Sequence, residues 1–156
     1  MAANPRDYFL EAVQTALDTM TGWTVLRTFN PTETLPQPYV FADLGVQEQR
    51  ENTDESGRQV QEEVQEILIL CGFTIDAQDT ASEGKLSQES NKRIYEIQQA
   101  FYGILNTLEP YDDAFCSIFV SKIRIVRVLD GYDNQSLFGQ ALINAEMVYT
   151  IYYKNQ

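Results

Sequence analysis

From Leu137 to Tyr153 the side chains alternate. Met147, Tyr149, Ile151 and Tyr153 fall on one side, and Glu146, Val148, Thr150 and Tyr152 on the other. A period of two belongs to a strand, and a strand this long rules out an all-helical chain. A second extended stretch, Ala114 to Leu129, precedes it and ends at Asp130-Gly131, a turn pair that predicts a hairpin. Two long strands joined in this way call for an antiparallel sheet with one apolar face, which helices must cover.

Two segments qualify as the cover. Pro5 to Met20 carries Tyr8, Phe9, Ala12, Val13, Ala16, Leu17 and Met20 at helical spacing, with Asn4 to cap it, Pro5 at the first position and Gly22 at the stop. Ser87 can cap a second helix whose face is Ile94, Ile97, Phe101, Ile104, Leu105 and Leu108, closed by Pro110. Shorter strands are expected over Trp23 to Phe29, Tyr39 to Leu44 and Val64 to Ile75. Prolines 31, 36 and 38 hold the first two of these apart. The order α-β-β-β-α-β-β predicts an α+β fold: a mostly antiparallel sheet, both helices on one face, and a single domain over residues 1–156.

Residues 46–59 carry almost no apolar side chains, with Asp54-Glu55-Ser56-Gly57 as a plausible turn. Two readings of 46–63 stand side by side: a long protruding β-hairpin, marginal in water until something packs on it, or a flexible surface loop.

Charge narrows the function. The 156 residues hold 23 acids, 11 bases and no histidine, for a net charge of −12. The missing histidine removes most hydrolytic triads and the commonest zinc sites. The acidity argues against gripping nucleic-acid phosphates. The charge is also segregated, because 12 acids and three bases lie between Asp43 and Glu89. Lys122, Arg124 and Arg127 fall instead on the strand 114–129. Lys122 and Arg124 share a face, and Arg127 joins them only if a bulge intervenes. Opposed patches suit head-to-tail association between copies, whereas a merely solvated edge strand uses the same charges against aggregation.

Catalytic motifs are nearly absent: there is no nucleophile elbow, phosphate loop, dinucleotide fingerprint or paired CxxC. The pairs Asp54-Glu55, Glu62-Glu63 and Asp112-Asp113 read as solvated surface, and Asp130 to Asn134 matches a calcium loop only loosely. No cofactor is expected. Cys71 and Cys116 sit in apolar runs and read as small buried hydrophobes. Neither a signal core near Met1 nor an apolar run of roughly 18 residues is present, so the expectation is a soluble chain made in the cytoplasm, with no membrane partner.

The arrangement resembles the tail terminator (tail completion) proteins of long-tailed bacteriophages. The features that carry the resemblance are a helix from Pro5 to Met20, Trp23, the entry Pro36-Gln37-Pro38-Tyr39-Val40, a long polar hairpin at about 44–70, a helix from Asn91 to Leu108, and two closing strands around Asp130-Gly131. They span nearly the whole chain as an order of elements, without a diagnostic motif. The resemblance implies a structural virion protein without catalysis, at the tail or neck and assembled in the host cytoplasm. It would form a hexameric ring that caps the tail tube and joins it to the head connector. Its partners would be further copies of itself, tail-tube and head-connector proteins, and DNA passing through the lumen without specific binding. Glu62, Glu63, Glu66, Lys122, Arg124 and Arg127 are the candidate subunit-interface residues. Other neck components (a connector or stopper) and a tail-tube subunit belong to the same class. From other classes come an acidic cytoplasmic secretion chaperone and an enzyme binding a small molecule near Tyr132, Tyr149 and Tyr153.

Overall fold

The structure is a computed structural model that describes residues 4–27, 38–49, 60–74, 83–133 and 138–154. Helix α1 spans Pro5–Leu17. The Asn4 side chain accepts from the Asp7 amide at 2.9 Å, meeting one of the donors a helix start leaves unsatisfied. The helix ends before Met20, and Gly22, with φ of 84°, takes the left-handed turn that leads into the sheet.

Among the described residues six strands form one sheet: β1 (Thr24–Leu26), β2 (Tyr39–Gln49), β3 (Val60–Thr74), β4 (Tyr111–Asp112), β5 (Cys116–Asp133) and β6 (Phe138–Tyr153), in the spatial order β1-β2-β3-β6-β5-β4. Only the β1–β2 pair is parallel. The α+β class with a mostly antiparallel sheet is therefore as expected. β6 is central: its odd-numbered residues Ala141 to Ile151 are buried, while the even-numbered ones are partly or largely exposed. Helix α1 and helix α2 (Glu83–Tyr102) cover the odd side. Phe9, Val13, Leu17, Ile94, Ile97 and Phe101 meet Ile67, Ile69, Ile143 and Tyr149 in one core. The Phe9 and Tyr149 rings lie 4.5 Å apart. Trp23 ties the sheet's first edge to α2 by donating to Glu96 at 2.6 Å, with Arg93 stacked 5.3 Å above its ring. Both cysteines are free and buried, and burial pushes the Cys71 thiol up to about 11.

Several boundaries differ from expectation. Helix α2 begins at Glu83, so Ser87 lies inside it rather than capping it. It stops at Tyr102, and after Gly103 a short α3 (Ile104–Thr107) completes the segment. Asp130 and Gly131 do not turn. They pair with Ala141 and Gln140, and the ladder runs on to Asp133 and Phe138, because two fully paired long strands outweigh a local turn preference. Val60 to Glu63, expected to belong to the arm or loop, are laddered to Tyr149 to Tyr152 of β6. Gln47 to Gln49, from the start of that segment, belong to β2 and ladder with β3, whereas residues 50–59 lie outside the described residues, as do prolines 31 and 36.

Asp112 is exposed, as expected, but Asp113 is more than a solvated acid. Asp113 accepts from the amides of Phe115 and Cys116, both at 2.7 Å, and from the Tyr111 hydroxyl, and this closes the β4–β5 link. The Tyr111 hydroxyl and these amides hold its carboxyl below the ordinary carboxylate range. A carboxyl depressed on folding stabilises the fold above its unfolded value, and the contribution is lost as pH falls through the folded value. Asp113→Asn is therefore expected to lower the urea midpoint more at pH 7 than at pH 3. An equal loss at both pH values would contradict this role.

Candidate functional site

The side of the sheet turned away from the helices holds five of the six sequence-predicted charges, and two bulges set the three bases of β5 there. In the β5–β6 ladder the register slips at Ser121 and again at Val126. Before the first slip, Ile118 and Val120 face the helices; between the slips, Ile123 and Ile125 do; after the second, Val128 does. Each slip reverses which residues point outward. Lys122, Arg124 and Arg127 therefore all stand on the open face, with Val148, Glu146 and Asn144 as cross-strand neighbours. The bulge on which Arg127 depended is present.

Glu66 lies on the same face, one strand beyond Glu146. Its carboxylate accepts from Asn144 and from the Val46 amide, both at 3.2 Å. A third bulge sets Gly45 and Val46 opposite Glu66, and the Glu66 side chain lies where a β-carbon on residue 45 would sit, 2.0 Å from Oε1. Gly45 is thus the residue that leaves room for this carboxylate. Arg124 is ion-paired with Glu146 within the chain. Glu62 shares the open face opposite Thr150.

Glu63 is placed differently. It points to the helix side at 9% exposure, where it accepts from the Tyr149 hydroxyl at 2.8 Å and from the Gln47 side-chain amide at 2.7 Å. Gln47 also donates to Tyr149, so β2, β3 and β6 are stapled together beside the end of the hairpin. Burial, and then the bond to Glu63, raise the Tyr149 hydroxyl far above its ordinary value and keep it a neutral donor. Gln65 is buried beside them. Its amide nitrogen donates to the Glu66 and Gly45 carbonyls, and its own carbonyl oxygen finds no donor among the described residues. With Tyr149 fully buried and engaged in this way, it offers no surface to a small molecule; the Tyr132 side chain lies outside the described set.

Across the ladder the open face falls into rows. One runs Asp43, Leu68, Asn144, Arg127; another runs Glu48, Val64, Val148, Lys122. The acids stand on β2 and the bases on β5, with the Arg124–Glu146 pair between. Asp43, Glu48, Lys122 and Arg127 are all exposed. Asp43 and Glu48 were not among the sequence candidates. The signal that finds them is register, which places each at the same level as a base three strands away. Among the described residues no group of three or more His, Cys, Asp or Glu gathers to hold a metal ion, and no helix is long and apolar enough to cross a membrane.

Elsewhere, α1 and the segment from Ile104 to Tyr111 enclose a groove of about 580 Å³, floored by Ala12, Ala16, Ile104 and Leu108 and rimmed by Glu11 and Glu109.

No protein-family model and no curated protein matches the chain. Among solved structures, the virion of a native gene transfer agent particle contains a chain similar to this one at 11% identity, aligned over 94% of each, with a TM-score of 0.34. Superposition of that quality does not establish a common fold.

The staple yields a direct test. Tyr149→Phe removes one of the two donors that hold the buried Glu63 carboxylate and is expected to lower unfolding stability by about 1–3 kcal/mol, read from urea denaturation. An unchanged midpoint would show that the hydroxyl holds nothing.

Proposed function

We infer that the chain is a non-catalytic structural subunit of a virion, which works as one copy in a homo-oligomeric ring. The observation that carries this reading is the bulge at Val126, which brings Arg127 onto the face already holding Lys122 and Arg124, with acids at the other edge of that same face. A face that is basic along one edge and acidic along the other is complementary to the next copy placed beside it. Repeated contacts of that kind close into a ring when the rotation between copies allows it. The order of elements resembles tail terminators, and the finer reading follows from that: a hexameric ring at the phage tail or neck, assembled in the host cytoplasm, capping the tail tube and meeting the head connector.

The net charge of −12 suits a ring that DNA traverses, because carboxylates repel phosphates and leave the strand free to slide. A second reading has one observation in its favour. The groove between α1 and Pro110 is the kind of apolar trough in which a secretion chaperone holds an extended partner, and such chaperones act as dimers.

Native mass spectrometry of the full chain separates the two. Six copies per particle are the expected result, a dodecamer favours a connector, and a dimer favours the chaperone. A species of 17.8 kDa at every concentration would contradict both.

A further inference from the structure

Resting on the reading that copies associate, we propose that the interface lies between the free edge of β5 in one copy and the free edge of β2 in the next, with Arg127 meeting Asp43 and Lys122 meeting Glu48. β1 pairs with β2 only at Tyr39 to Phe41, and β4 pairs with β5 only at Ser117 and Ile118. On their outer sides, Ala42 to Gln49 of β2 and Phe119 to Asp133 of β5 therefore have no strand partner among the described residues. Edges of this length invite pairing unless something blunts them. Bulges and charges are the usual means, and both are present. A protected edge works by repulsion, however, so both edges should carry one sign of charge. Here the signs are opposite, and one edge attracts the other.

Direction and level agree as well. Each of the pairs β2–β3, β3–β6 and β6–β5 is antiparallel, so β2 and β5 run in opposite senses. A second copy rotated about an axis along the strands, with its open face kept outward, sets its β2 antiparallel to this β5 and continues the alternation. Closure into a ring requires no slip along that axis, since a slip generates a filament. With zero slip each row meets its own level in the neighbour: Asp43 shares a row with Arg127, and Glu48 shares one with Lys122. Arg124 is excluded because Glu146 already holds it, and Glu63 because it is buried on the helix side. The Ile125 amide on the β5 edge is already bonded to the Tyr102 hydroxyl at 3.0 Å. The contact is thus one of side chains across bulged edges rather than an unbroken ladder.

Mixed cysteine variants test the geometry. Residues 43 and 127 of one chain stand three strand spacings apart, roughly 14 Å, beyond the reach of a disulfide. Asp43→Cys and Arg127→Cys, prepared separately and mixed under mild oxidation, are expected to give a crosslinked dimer on a non-reducing gel, with none from either variant alone. A crosslink formed by one variant alone would mean a two-fold contact and overturn the proposal. Arg127→Asp is expected to weaken self-association at least about tenfold, with circular dichroism unchanged, and Asp43→Arg in the same chain should restore it. Wild type that oligomerises while the mixture stays uncrosslinked and the reversal has no effect would overturn the edge assignment and leave the ring reading standing. Wild type that stays monomeric would overturn both.

Discussion

Everything in this chain is organised by β6, which is paired along its whole length with β3 on one side and β5 on the other. A strand so enclosed offers neither edge to solvent, and its two faces meet different fates. The odd-numbered face is sealed by α1 and α2 around Tyr149. The even-numbered face is left to whatever its polar neighbours can do. Because β3 and β5 are registered against the same strand, any slip in their ladders decides which side chains reach which face. The bulges at Ser121 and Val126 therefore decide which charges of β5 stand on the open face.

Much of this was legible in the residues. The alternation of β6, the capped first helix, the two-helix cover and the α+β class follow from periodicity, and the structure has them. The phase of β5 was half legible. Its apolar positions pass from 118 and 120 to 123 and 125 and then to 128, which is the mark of two slips, but the slips acquire a direction only from the partner strand. Other features depend on contacts that no local window contains. Glu63 looks like a surface acid, yet it is held by Tyr149, 86 residues later. Asp130-Gly131 looks like a turn because its tendency to continue a ladder depends on residues 140 and 141. Ser87 has the chemistry of a cap, but a helix starts where its whole first turn is stable, and here that is at Glu83.

The candidate site changed more than the fold did. Sequence reasoning set acids of the hairpin against bases of the later strand as two blocks. In the folded sheet the blocks become rows, and several candidates turn out to be engaged at home: Glu63 in the staple, Glu66 over Gly45, Arg124 with Glu146. Lys122 and Arg127 remain outward on one edge, and Asp43 and Glu48 answer them on the other. Exposed pairs of this kind contribute little singly, so in the proposed contact their weight would lie in selecting register and orientation between copies.

Sedimentation equilibrium of the wild-type chain across ionic strength tests this most directly, because screening between exposed charges grows as the Debye length shrinks from about 30 Å at 0.01 M to about 3 Å at 1 M salt. An assembly larger than 17.8 kDa is expected at low salt, shifting toward the monomer as salt rises. A mass that stays monomeric at low salt, or an oligomer indifferent to salt over that range, would contradict it.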